Sequence, residues 1–161
     1  MRTFIIGIAA IGLVLALAGC SQPSGPSAGM TEAGPATRKV WNTLLSNKAY
    51  QKWATAPGFQ TRQPAKGPHG KMVQVFVDPN ITRTLSGPAA TAWPAGSMIV
   101  KDAFDAAGSP MQIEYMQKTS AGWYYASFGL DGTLVKEGVN AVPCAPCHAT
   151  GSDSVKSFKL P

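Results

Sequence analysis

The sequence predicts an α+β fold, an antiparallel β-sheet with an N-terminal helix and a short C-terminal helix. Two patterns and one turn signal predict it. Between Thr37 and Thr55 apolar residues recur near helical spacing. Several later segments alternate apolar with polar residues and are rich in Val, Ile, Tyr and Phe, as half-buried strands are. The Asp131-Gly132 pair between two such segments is typical of a tight β-hairpin.

The predicted elements follow one another along the chain without internal repeats. The N-terminal helix is expected to start with Thr37 as its N-cap and to stop before Pro57-Gly58. A short helix is expected over residues 81–85, and a last helical turn near Cys144. Five strands are expected, at residues 71–77, 97–104, 111–118, 122–128 and 133–137. A single domain of average size with one core accommodates these elements.

The N-terminus resembles a bacterial lipoprotein signal rather than part of a folded domain. A short basic start, Met1–Thr3, precedes an almost unbroken apolar run from Phe4 to Ala18. The run is shorter than a membrane-spanning helix, and small residues lead from it into Cys20. We therefore expect residues 1–19 to be cleaved and Cys20 to carry a lipid. An uncleaved anchor is the alternative.

The segment after the signal is expected to join the lipid to the domain. Residues 20–37 are rich in Ser, Pro, Gly and Ala, which is typical of a flexible linker, so the domain would occupy residues 38–161. Ser21 after the lipidated cysteine is typical of delivery to the outer membrane. We expect the domain on the periplasmic face of that membrane, or elsewhere in the cell envelope.

The basic charge balance does not indicate a nucleic-acid partner. The chain has 14 Lys and Arg residues against 8 Asp and Glu, and cleavage of the signal would remove only Arg2. The basic residues are scattered, without a basic-aromatic binding motif. An acid-free interval at residues 33–77 could face anionic lipid or an acidic redox partner, or it could simply be solvated.

The segment 144–148, CAPCH, is the attachment signal of c-type haem. Two thiols at this spacing add to the two vinyl groups of one haem, and the adjacent His148 becomes the proximal ligand of the iron. The rival is a redox Cys-x-x-Cys, but that motif has no use for the following histidine. We therefore expect one covalent haem c, bound through Cys144 and Cys147, with its iron on His148.

The haem motif lies near the C-terminus, whereas in ordinary small electron carriers it opens the domain and a later methionine binds the iron. The methionines that could reach the iron from earlier in the chain, Met72, Met98, Met111 and Met116, lie in predicted strands, where methionine is more often core filler. The four-helix cytochromes c′ also carry a late motif, but they are all-helical. The sequence favours a β-rich haem domain with a distal face open to a small molecule.

The later motifs resemble, in their order, those of the cytochrome P-460 family, which includes the β-sheet cytochromes c′-beta. The resemblance covers roughly residues 41–160. The haem motif alone is not specific to that family, whereas the order of all the motifs is much more so. They are HGKMVQVFVDP at 69–79, PAGSMIVKD at 94–102, GWYY at 122–125, DG at 131–132 and CAPCH at 144–148.

This resemblance implies a site and two alternative functions. P-460 members use a lysine, at the position of Lys101, to bond a side-chain nitrogen to a haem meso carbon, and they oxidise hydroxylamine. A distal carboxylate at the position of Glu114 would act as a general base. Electrons would pass to a periplasmic redox cytochrome. The cytochromes c′-beta share the fold, lack the cross-link and bind nitric oxide without being enzymes.

Plainer interpretations of the same residues remain open. Lys101 could snorkel to water at a strand end, Glu114 could belong to a solvated face with Lys118, and His69 fits a turn better than a distal donor or sixth ligand. Where better-known hydroxylamine oxidisers carry an arginine, this chain has Val73 or its neighbours, which argues against efficient turnover. The sequence also leaves open a simple electron carrier and a homodimer.

Overall fold

The computed structural model of the protein describes residues 35–161, and its sheet and short helices confirm the predicted α+β class. The signal expected at residues 1–19, the lipid site at Cys20 and nearly all of the linker expected at 20–37 lie outside the described residues. In the described part of the chain, no helix is long and apolar enough to cross a membrane.

Seven strands form one antiparallel sheet, in which hydrogen-bonded neighbours follow the order β1, β3, β4, β5, β6, β7 and β2 also pairs with β3. They are β1 (Ala54–Thr55), β2 (Gln63–Pro64), β3 (Met72–Val77), β4 (Met98–Phe104), β5 (Pro110–Thr119), β6 (Gly122–Gly129) and β7 (Leu134–Val139). The five predicted strands are confirmed as β3 to β7, with ends that differ by one or two residues. The first two strands have two residues each, too short for alternation to show in a sequence.

The helices are short and lie at both ends of the described chain and after β3. They are α1 (Pro35–Val40), which continues into a π-helical turn (Trp41–Leu45) and is followed by a 3₁₀ turn (Ala49–Lys52), α2 (Pro79–Leu85) and α3 (Cys144–His148). The expected helices after β3 and at the haem motif are therefore confirmed. In α2 the Asp78 carboxylate accepts the Ile81 N–H at 3.1 Å, so it acts as the N-cap.

The prediction of one continuous N-terminal helix from Thr37 to Thr55 is wrong. Lys48 has a left-handed backbone (φ 54°) between the π-helical and 3₁₀ turns, which interrupts the helix. Thr37 is not an N-cap either, because it lies inside α1 and is buried against the sheet. Its hydroxyl bonds to Tyr124 and Glu137, and a buried polar group needs such partners.

The two faces of the sheet carry separate cores, because successive side chains of a strand point to opposite faces. On the helical face, Phe76, Val100, Tyr115 and Phe128 pack with residues of the N-terminal turns. On the other face, which we call the cleft face, the sheet packs against α3 and the C-terminal segment. Its core residues are Ala56, Val75, Val77, Ile81, Trp93, Ile99, Met116, Trp123, Tyr125, Val155 and Phe158.

The pH dependence of stability provides a test of the packing of α1 on the sheet. Burial, and next its hydrogen bond to Glu137, raises the pKa of Tyr124 to about 12. An unfolded tyrosine ionises near pH 10, so the unfolded chain loses this proton first. The protonated Tyr124 therefore contributes its full stabilisation below about pH 10, and this stabilisation is lost as the pH rises through about 12.

We expect Tyr124→Phe to make the free energy of unfolding fall less steeply with pH in this alkaline window. Urea unfolding of wild type and variant, followed by far-UV circular dichroism at several pH values, measures the two slopes. The slope is compared rather than the stability itself, since the variant also loses hydrogen bonds at neutral pH. Equal slopes in the two proteins would contradict the assignment.

Candidate functional site

The haem motif forms α3, which brings its three reactive side chains to one side of a helix. Residues three and four positions apart lie on one helix face, so Cys144 shares a face with Cys147 and with His148. Both thiols are free. Cys144 packs against the core of the cleft face, whereas Cys147 is exposed.

A narrow cleft of about 30 Å³ lies between α3, the sheet and the C-terminal segment. It brings together four of the residues singled out in the sequence, Lys101, Glu114, Cys144 and His148, whereas Cys147 does not line it. The remaining lining residues are His69, Ile99, Met116, Tyr125, Val155, Lys156 and Ser157. The cleft thus combines an apolar wall with a few polar groups, as small-molecule and cofactor sites do.

His148 is oriented by a backbone carbonyl. Its Nδ1 lies 3.0 Å from the Ser154 carbonyl oxygen, which can only accept, so Nδ1 carries the proton and Nε2 is left as a free electron-pair donor. The Tyr125 ring and the imidazole pack edge to face, with centroids 5.2 Å apart. Burial lowers the pKa of His148 and favours the neutral ring, the form that binds metals.

Lys101 reaches the cleft from β4, directly opposite Glu114 in the pairing of β4 with β5. Burial lowers the pKa of its ammonium group, and the negative charge of Glu114 opposes that shift. A lowered pKa increases the share of neutral amine, which is the nucleophilic form of lysine. The side chain is half-buried and lines the cleft.

Glu114 is buried, with 9% of its surface exposed, so the interpretation as part of a solvated face is wrong. Its Oε1 accepts hydrogen bonds from Gln112 Nε2 at 2.6 Å and Ser127 Oγ at 3.0 Å. His69 Nδ1 also lies 3.2 Å from Oε1, but without the alignment of a hydrogen bond. Because these contacts all involve Oε1, they fix the carboxylate and leave Oε2 available to accept a proton.

His69 belongs to the site, although the sequence favoured a turn residue. It does lie in a bend before β3, but it also lines the cleft, with its ring centroid 6.3 Å from that of His148. Its Nδ1 is buried without a hydrogen-bond partner. No periodic pattern in the sequence surrounds His69. The glycine that follows it, Gly70, indicated a turn but not a place in the site.

Gly70 fixes the bend that carries His69. Its backbone is left-handed (φ +86°), and a Cβ at this position would come within 2.5 Å of the Phe104 carbonyl oxygen. A glycine is therefore required both by the backbone conformation and by the close approach of β4.

The methionines considered above as iron ligands lie in different environments, as their positions along the strands predict. Met116 is buried in the core of the cleft face and lines the cleft. Met98 packs on the helical face, and Met111 is 48% exposed. Met116 is therefore the methionine of this group that the cleft brings near the other site residues.

The residues present fit a covalently bound haem. His148 offers an unprotonated Nε2, two free thiols lie at the attachment spacing, and an apolar wall adjoins them. Within residues 35–161, no three His, Cys, Asp or Glu side chains cluster as they would around a bare metal ion. Burial raises the pKa of Cys144, whereas redox-active thiols have a lowered one.

Comparison with known proteins does not identify a family for the chain. No family model matches the chain, and no curated protein has significant similarity to it. The relationship to the P-460 family therefore remains a prediction from the motifs.

We expect Gly70→Ala to destabilise the protein more than Gly58→Ala does. Gly58 has nearly the same backbone (φ +83°) but nothing within 4 Å of its added Cβ. Gly58→Ala should cost about 1 kcal/mol of unfolding free energy from backbone strain alone. Gly70→Ala should cost about 1–3 kcal/mol more, from the clash with Phe104. Urea unfolding measures both, and equal losses would show that the close approach is unimportant.

Proposed function

We propose that the protein is a mono-haem c-type cytochrome of the P-460 type, which oxidises hydroxylamine or a related small nitrogen species. It would be lipid-anchored through Cys20 and face the periplasm. One observation carries the proposal: a single cleft contains the histidine of the haem motif together with a half-buried lysine and a buried carboxylate. In the proposed reaction hydroxylamine loses one proton for each electron, so the site needs a base as well as an electron acceptor.

Three residues of α3 would hold the cofactor. Cys144 and Cys147 would form the thioether bonds, and His148 would bind the iron through Nε2, because its Nδ1–H already donates a hydrogen bond to the Ser154 carbonyl. When bound, the haem supplies an iron centre that accepts electrons from the substrate and passes them on. A periplasmic redox cytochrome is the proposed acceptor.

Lys101 would modify the cofactor, as in the family that the motifs resemble. Its lowered pKa supplies the neutral amine that a bond to carbon requires. A bond from its nitrogen to a haem meso carbon would remove one hydrogen from the nitrogen and one from the carbon, together with two electrons. An oxidant such as a peroxide would have to take these up.

Glu114 would be the general base of the reaction. Gln112 and Ser127 bind Oε1 and hold the carboxylate at the wall of the cleft, where a proton of the substrate can reach Oε2. His69, whose buried Nδ1 has no hydrogen-bond partner, would contribute a second polar contact to a bound ligand.

A second candidate function is the capture of nitric oxide without catalysis, as in cytochromes c′-beta. The apolar wall of Ile99, Met116 and Val155 favours a small neutral ligand. Val73, which is buried, or one of its neighbours Met72 and Gln74 would stand where better-known hydroxylamine oxidisers carry an arginine, so that charged group is missing. The state of Lys101 distinguishes the two candidates.

Haem attachment is tested by removing the thiols. We expect the purified wild-type protein to contain one covalent haem, and Cys144→Ala combined with Cys147→Ala to contain none. Intact mass spectrometry and the pyridine haemochrome spectrum measure the content. Cys20→Ser is the matched control, since it removes a thiol but should leave the haem in place. Covalent haem in the double variant would refute the attachment.

The enzymatic proposal is tested by comparing Lys101→Met with Glu114→Gln. In the wild type we expect a tryptic haem peptide that contains both Lys101 and residues 144–148, and an absorption band of the reduced protein far to the red of ordinary haem c. Lys101→Met should lose the adduct and the turnover of hydroxylamine. Glu114→Gln should keep the adduct but lower the turnover by about 10²–10⁴-fold, as loss of a general base does.

Lys71→Met, at an exposed lysine before β3, is the control for this experiment and should resemble the wild type. A wild-type haem peptide without Lys101, together with a five-coordinate ferrous spectrum that responds to nitric oxide, would refute the enzyme and favour the gas binder. A low-spin spectrum with a methionine ligand would indicate an electron carrier instead.

A further inference from the structure

The C-terminal segment after the haem motif contains an unusual turn. Asp153 and Ser154 are consecutive non-glycine residues with left-handed backbones, at φ 44° and 63°. Residues with side chains rarely adopt this conformation, and they keep it where the surroundings impose it. The Ser154 carbonyl oxygen accepts the hydrogen bond from His148 Nδ1, and the two atoms are 3.0 Å apart.

Three donors from different parts of the fold converge on Asp153. Lys118 Nζ, at the end of β5, lies 2.6 Å from Oδ1, and the Trp93 N–H donates to Oδ2 at 2.8 Å. The indole Nε1 of Trp123, in β6, donates to the Asp153 carbonyl at 2.7 Å. The Lys118 and Asp153 side chains are only 18% and 17% exposed, so water screens this ion pair much less than a surface pair.

The rest of the turn is closed by its own hydrogen bonds. Ser152 and Val155 exchange backbone hydrogen bonds of 3.0 and 3.1 Å, and Val155 is buried in the core of the cleft face. A Cβ on Gly151 would come within 2.4 Å of the Val155 backbone, so the chain has no room to shift there. With Asp153 fixed and the turn closed, the Ser154 carbonyl has one orientation, toward His148.

We propose that the Lys118–Asp153 ion pair is a positioning device for His148, which acts through the Ser154 carbonyl. It fixes the acceptor of the Nδ1 proton, and a fixed acceptor keeps the ring in one tautomer and makes Nε2 a better electron donor. Neither residue of the pair lines the cleft, so both are positioning residues. The role of iron in this inference rests on the proposed function. To that function the inference adds Lys118 and Asp153 as residues that tune the proximal ligand.

A merely structural role for the pair would be to attach the C-terminus to the sheet. That role predicts a change in stability without a change at the iron. The positioning role predicts a change in the bond between histidine and iron even where the protein remains folded, so the two are separable by spectroscopy.

The test compares Lys118→Met and Asp153→Asn with the double variant in the holoprotein. Methionine keeps an unbranched side chain of similar length without the charge, and asparagine keeps both the shape and the tolerance for a left-handed backbone. In both single variants we expect a lower iron–histidine stretching frequency in the resonance Raman spectrum of the reduced protein and a higher midpoint potential. The double variant should shift no further than the singles, because one ion pair is lost in each case.

Lys159→Met is the control, since Lys159 is an exposed lysine of the same C-terminal segment. Wild-type frequency and potential in both single variants would overturn the proposal, as would an equal shift in Lys159→Met. Should Asp153→Asn fail to fold, Lys118→Met decides by itself, because Lys118 lies at a strand end and the substitution leaves the turn sequence unchanged.

The absence of covalent haem from the wild-type protein would overturn the proposed function but not the positioning role. In that case ¹⁵N NMR of the His148 ring decides. We expect a slowly exchanging Nδ1 proton in the wild type, and faster exchange with mixed tautomers in Lys118→Met. Identical ring signals in the two proteins would overturn the positioning role.

Discussion

The cleft depends on the alternation of side chains between the two faces of the sheet along β4 and β5. Lys101 and Glu114 pair across these strands, and their immediate neighbours Val100 and Tyr115 point into the core on the helical face. A slip of one residue would bury the lysine under the N-terminal turns and put a valine in the cleft. Because each face of the sheet packs against its own core, a shift in register would disrupt the packing on both faces.

The cleft face departs from the rule that buried positions are apolar. It places a lysine, a carboxylate and two histidines at the edge of a core of Val, Ile, Trp and Tyr. Burial of such groups costs free energy unless they find partners or a ligand. Gln112 and Ser127 satisfy Glu114, and Ser154 satisfies His148, but Nδ1 of His69 is left over. Departures of this kind are expected at functional sites rather than in a structural core.

Much of the sheet could be predicted from the sequence, because alternation and the Asp131-Gly132 turn are local signals. The CAPCH motif is also a local signal, and the helical turn expected there is present as α3. The N-terminal helix was predicted too long, since nothing in its composition announces the left-handed Lys48, and the burial of Thr37 depends on Glu137, which lies 100 residues further along the chain.

The environment of the site could not be predicted for the same reason. Glu114 has the sequence neighbours of a solvated face, but in the fold it is buried, in contact with Ser127 of β6 and His69. The approach of His69 depends on a contact between Gly70 and β4. The turn at Asp153 draws on Trp93, Lys118 and Trp123, which come from three separate elements. Contacts between distant segments of this kind leave no periodic trace in a sequence.

Thr37 joins α1 to the last two strands of the sheet. Its hydroxyl bonds to Tyr124 in β6 and Glu137 in β7, on the helical face, whereas the cleft is lined from the opposite face. The first helix therefore completes the core of one face without narrowing the cleft on the other.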